Sequence, residues 1–168
     1  MRKISILGML SAALTLWVAS SAPVFSDGPI TVSVTAQAQA CVTIETTAIN
    51  FGTLAWGGSA ERQISNVANC SGVTQTLLAQ GANTTSGPPW QLAETGTCPT
   101  RPLNQFRLEV DSIAGTPVAL SSTTAKSLGT MATTPARTLD TLFMMPCSGS
   151  TGAGQTAQTT ITLTATIP

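Results

Sequence analysis

ITVSVTAQAQACVTIE, residues 30–45, alternates apolar and polar side chains from Ile30 to Ile44, with Cys41 standing among the polar set. One face carries Ile30, Val32, Val34, Ala36, Ala38, Ala40, Val42 and Ile44; the other carries Thr31, Ser33, Thr35, Gln37, Gln39, Cys41, Thr43 and Glu45. Period two marks a half-buried β-strand, but strands usually run ~3–10 residues, and this pattern is longer. A break in AQAQA, 36–40, is natural, because alanines give little packing and suit a crossing or a bend. The stretch then divides into a domain strand around 40–46 and an amphipathic strand reaching from Ile30 to Ala36 or Ala38.

Upstream, Arg2 and Lys3 precede an apolar run from Ile4 to about Ala19, followed by small residues at Ala19, Ser20, Ser21 and Ala22. That is the layout of a secretory signal peptide over 1–26, cut after Ala22 or Ser26. The run is too short, and too broken by Ser5, Gly8 and Ser11, for the ~20 apolar residues of a membrane span. Without the leader, five basic residues face seven acidic ones, a net charge of about −2. No basic surface remains for a nucleic acid. The remaining ~140 residues suit one domain with a real core. Charge is sparse throughout, so Thr, Ser, Gln and Asn must carry solubility, as suits a strand-rich extracellular surface.

Cys41, Cys70, Cys98 and Cys147 are an even set in a secreted chain and are read as disulfides. A metal site is not expected, because histidine is absent and no pair has C-x-x-C spacing. Three pairings are possible. Sequential pairing, Cys41–Cys70 and Cys98–Cys147, is favoured because it staples each half of the chain to itself; on the loop-entropy argument the closures contribute about 3.5 and about 4 kcal/mol.

Downstream, apolar residues keep recurring with period two, and Gly, Pro and Ser-Gly clusters interrupt every run, so no helix is expected. AINFGTLAWGG places Ile49, Phe51 and Thr53 on one face before the Gly57-Gly58 turn. RQISNVANC is a strand in which Val67 breaks strict alternation with Ile64. TQTLLAQ is another, and GANTTSGPPW is a loop that Pro88 and Pro89 keep out of a sheet interior. NQFRLEVDS sets Phe106, Leu108 and Val110 against Arg107, Glu109 and Asp111, one face to a core and the other to water. TPVALSS, AKSLGTM and RTLDTLFMMP add further strands. AQTTITLTATIP closes the chain with Ile161, Leu163, Ala165 and Ile167 alternating with threonines. Roughly eight to ten short strands at this spacing predict an all-β, antiparallel, immunoglobulin-like sandwich over 40–168.

The residues offer little chemistry. Without histidine there is no Ser-His-Asp or Cys-His arrangement. Glu109 and Asp111 share a face with Arg107 and read as solvated surface rather than as the facing carboxylates of a glycosidase. GSTGAG is a turn and not a phosphate loop. Neither enzyme activity nor a cofactor is expected. Trp56 and Trp90 lie in loop-like contexts, where they either cap the core or stack on a glycan or surface partner. The sequons at Asn69 and Asn83 permit glycosylation only in a host that performs it.

The strand before the domain, within the extension 27–39, has two fates. It pairs in its own sheet as an ordinary terminal strand, the fate periodicity favours, or it adds to the exposed edge of a neighbouring copy. In the second case the contact is head-to-tail and builds a filament. VSVTAQAQACVTIETTAINFG, 32–52, with its cysteine and its Phe51-Gly52 pair, resembles the start of spore coat protein U-type domains and of archaic chaperone–usher pilus subunits. NCSGVTQTLLAQG, 69–81, resembles the strand that follows. The resemblance spans about residues 30–82; Cys98 and Cys147 are additional to it, and no tyrosine stands where those domains carry a Tyr-rich strand. It implies a Cys41–Cys70 pair and an incomplete sandwich. It also implies a donor strand whose side chains are Ile30, Val32, Val34, Ala36 and Ala38, with copies of the chain, a periplasmic chaperone and an outer-membrane usher as partners. The expectation is a subunit of an extracellular fibre, pilus or coat; the alternative is a self-contained secreted adhesin binding through Trp56 and Trp90.

Overall fold

The computed structural model describes residues 28–37, 41–133 and 135–167. The signal peptide assigned to 1–26, its two candidate cleavage points, and Ala38 of the expected donor set lie outside them. Among the described residues there are eleven strands and no helix: β1 Ile30–Gln37, β2 Val42–Thr43, β3 Ala48–Gly52, β4 Ser59–Asn69, β5 Gln75–Gly81, β6 Gln91–Leu92, β7 Gln105–Asp111, β8 Pro117–Ala119, β9 Lys126–Met131, β10 Arg137–Met144 and β11 Ala157–Thr166. One sheet has the order β3-β1-β11-β5-β9. The other has the order β2-β4-β10-β7-β6, with β8 added to β7. The fold is an all-β, immunoglobulin-like sandwich, as the alternation predicts.

The long opening pattern is two strands in two sheets. β1 ends at Gln37 in the first sheet and β2 resumes at Val42 in the second, paired to the end of β4. Both keep their even-numbered side chains toward one shared core: Ile30, Val32, Val34 and Val42 are buried. A chain that crosses between facing sheets without losing phase shows one unbroken period of two. The segment placed at 27–39 as a separate extension is therefore, over Ile30–Gln37, an interior strand of the domain.

Alternation works as expected in β5, where Gln75, Leu77, Ala79 and Gly81 face inward. The same holds in β11, where Ile161, Leu163 and Ala165 are buried. Phe51, Phe143 and Phe106 form a ring chain through the core, with centroids 5.4 and 5.3 Å apart. The broken phase of β4 has a physical cause. Ile64 faces Leu139 and Val67 faces Arg137, three steps on β4 against two on β10. This is a bulge that the left-handed Asn66 (φ 51°) makes possible, and it buries both Ile64 and Val67.

Four expectations are corrected. The sandwich is not antiparallel throughout, since β1 runs parallel to β11 and β6 parallel to β7. Thr53 is exposed rather than in line with Ile49 and Phe51, because Gly52 (φ 72°) turns the chain out of β3. Ile167 is 59 % exposed, one residue past the end of β11. Glu109, expected in water, is buried beside Arg107, with which it forms an ion pair.

Candidate functional site: the slot of the first strand

β1 separates two strands that form no ladder with each other. On one side Ile30–Ser33 pair antiparallel with β3, and the Val34 amide continues that edge by donating to the Thr47 carbonyl at 3.0 Å. On the other side all eight residues of β1 pair parallel with β11, from Ile30 beside Ala157 to Gln37 beside Thr164. The expected donor residues Ile30, Val32 and Val34 are buried in this slot, and Ala36 holds the register position beside Leu163. Thr31, Ser33 and Thr35 turn to the outer face, where the Thr35 and Thr162 hydroxyls lie 3.5 Å apart. The one polar neighbour on the inner side, Thr159, is satisfied by donating to the Ala82 carbonyl at 2.7 Å.

The mouth of the slot is built by a missing side chain. A Cβ on Gly28 would lie 2.4 Å from the Thr156 backbone nitrogen, so only glycine lets the start of β1 lie so close to the start of β11. At the other end of the sandwich, the first covalent tie after β1 is the Cys41–Cys70 disulfide, beside the bond from the Cys70 amide to the Cys41 carbonyl at 2.8 Å. Cys98 pairs with Cys147, so both bridges follow the sequential pattern. Two disulfides fit a protein folded outside a reducing compartment. Both bridges thus lie after β1 in the chain, and neither ties β1 itself.

The tryptophans cap the core. Trp90 is 1 % exposed, donates its indole N–H to the Thr151 carbonyl at 2.8 Å, and meets Trp56 edge-on at 5.8 Å. Trp90 is therefore not a ligand contact, and Trp56, half-buried, packs against the same core. The pair closes the end of the sandwich at which β1 begins; Cys41–Cys70 marks the other end.

Two clusters were not legible as clusters in the sequence. Glu61 and Glu109 both stand opposite Leu142, which joins them to Asp111 and Asp140 around an open cavity of about 190 Å³ on the outer face of the second sheet. Only the register of three strands brings them together. Arg101 is 3 % exposed beneath the Cys98–Cys147 bridge; its Nη2 donates to the Met145 carbonyl, while Nε and Nη1 have no partner. Burial, and then the charge of Arg107, push its pKa down. No protein-family model matches the chain, and no curated protein matches it either.

Proposed function

We propose that the chain is a structural subunit of an extracellular fibre, pilus or coat, built by exchange of β1 between copies. The observation that carries this reading is the slot: the first strand among the described residues fills the gap between β3 and β11, which are otherwise unbonded to each other. A second copy's residues 30–37 carry the same main-chain donors and acceptors and the same side chains, so they fit the gap as β1 does. The resemblance of residues 30–82 to spore coat protein U-type and archaic chaperone–usher subunits points the same way, and brings a periplasmic chaperone and an outer-membrane usher as further partners. Secretion through the periplasm to the cell surface goes with it. The competing reading, an adhesin binding through Trp56 and Trp90, loses Trp90 to the core.

Negative-stain microscopy of material secreted by cells expressing the full chain tests the proposal. Fibres are expected from the wild type and none from Val32→Arg, whose charge cannot enter a position that is fully buried. Fibres that persist in the variant, or none from the wild type, would overturn it.

A further inference from the structure

Arg101 brings a positive charge into the interior with no negative charge to meet it. It is 3 % exposed, and among the described residues its guanidinium forms no ion pair: Nη2 donates to the Met145 carbonyl, while Nε and Nη1 have no partner. A guanidinium keeps its proton at neutral pH, and a buried charge left uncompensated is costly. Arg107, a second cation close enough to act on it, already pairs with Glu109. Arg101, Arg107 and Glu109 together leave one positive charge unanswered.

What Arg101 does touch is a disulfide: its Nη2 lies 3.8 Å from the Cys98 sulfur. Within the bridge that sulfur is neutral and a weak acceptor; as a thiolate it is a full negative charge beside the cation. Reduction of Cys98–Cys147 therefore supplies the counter-charge that the oxidised fold lacks. A neighbouring arginine also lowers the pKa of a thiol, and a bridge whose reduced form is stabilised is the more easily reduced. Access to the two sulfurs is unequal. Cys98 is exposed, as are Thr97, Pro99 and Thr100 around it, whereas Cys147 is 4 % exposed. Among the described residues no cationic side chain donates to Cys41 or Cys70, so the other bridge has no such support for its thiolates.

We propose that Cys98–Cys147 is a thiol–disulfide exchange site, with a dithiol as its substrate and Arg101 as the positioning residue that holds Cys98 as a thiolate. One thiolate of the dithiol attacks the exposed Cys98 sulfur; the Cys98–Cys147 bond breaks, a mixed disulfide forms on Cys98, and Cys147 leaves and takes up a proton. The second thiolate of the dithiol then attacks its partner's sulfur in that mixed disulfide, closes the dithiol into its own disulfide, and releases Cys98 as a thiolate beside Arg101. Two electrons pass from the dithiol to the bridge. Of the two protons the dithiol gives up, one stays on Cys147 and the other goes to solvent. The site is independent of how copies of the chain assemble.

The test equilibrates the folded full chain with mixtures of reduced and oxidised dithiothreitol at neutral pH, quenches in acid, alkylates, and reads the state of each cysteine by peptide mass spectrometry. Cys98–Cys147 should be half reduced at a dithiol-to-disulfide ratio about tenfold or more below that for Cys41–Cys70, the equivalent of one pKa unit in the Cys98 thiol. With glutathione in place of the dithiol, the mixed disulfide should map to Cys98. In Arg101→Gln the ratio for Cys98–Cys147 should rise about tenfold, by the same equivalence, with that for Cys41–Cys70 unchanged; Arg101→Lys, which keeps the charge, should restore most of the wild-type value. Equal ratios for the two bridges in the wild type, or glutathione on Cys147, overturn the proposal whether or not the Arg101 variants fold. A change in Arg101→Gln that moves both bridges alike, or no recovery in Arg101→Lys, assigns Arg101 a purely structural part and overturns it as well.

Discussion

Asn69 reads in the sequence as part of a sequon, and in the fold it is a buried junction. At 6 % exposure its amide nitrogen donates to the Val73 and Met131 carbonyls at 2.7 and 3.1 Å, and its oxygen accepts from the Ser71 amide and from Gln75. It thereby ties the end of β4 to β9 in the opposite sheet. Asn69→Ala is expected to cost about 2–3 kcal/mol, since the buried Gln75 and Met131 lose a hydrogen-bond partner at once with the local bonds to Ser71 and Val73; urea denaturation measures it, and a loss below about 0.5 kcal/mol would contradict this role. Glycosylation of the folded chain at Asn69 is excluded by the same bonds, whereas Asn83 is exposed. On the surface, hydrogen bonds from Lys126 and then Ser121 hold the Glu94 carboxyl below its ordinary range. A depressed carboxylate stabilises the fold above its unfolded pKa, and that support is lost as pH falls through the folded value. The melting temperature of the wild type should therefore exceed that of Glu94→Gln at neutral pH, slightly, given the exposed site, and the two should converge in acid. A gap that widens in acid would refute the sign.

Among the elements, β4 shows how a fault in a pattern can be information. Val67 falls out of phase with Ile64 because the bulge at Asn66 inserts one residue. Asn66→Val should cost ~1–2 kcal/mol, because a β-branched residue is strained at positive φ, and Asn66→Gly should cost less; equal losses in chemical denaturation would mean that backbone strain is not the cause. β1 is the element on which the proposed assembly depends. Gly28→Ala forces a Cβ against the Thr156 backbone, so the first amides of β1 should exchange hydrogen faster while those of β5 are unchanged. Uniform acceleration across both strands would show that the start of β1 is not separately seated. The inward set Ile30, Val32 and Val34 was legible from alternation alone. Its slot was not, because period two states which face is buried and is silent on which strands lie alongside.

For the whole molecule, the two disulfides staple opposite ends of the sandwich, with sequence separations of 29 and 49 residues. Replacing both cysteines of the longer loop, Cys98 and Cys147, by Ala should cost about 4 kcal/mol, and both of Cys41 and Cys70 about 3.5 kcal/mol; guanidinium unfolding at equal m-values checks the ranking, and a reversed order would show that native-state contacts outweigh loop entropy. Alternation, turn residues and composition, all carried by near neighbours in the chain, were enough to predict an all-β chain, the inward residues of most strands and the division of residues 30–45 into two strands, and to favour the cysteine pairing that the fold then showed. Tertiary structure alone decided that β1 lies parallel to β11, that Trp90 is sealed inside, and that Glu61 and Asp140 stand beside Glu109 and Asp111. Those outcomes depend on which strands become neighbours, and that is settled by packing between residues far apart in the chain, such as Ile30 and Ala157, which lie side by side in one sheet although more than a hundred positions separate them.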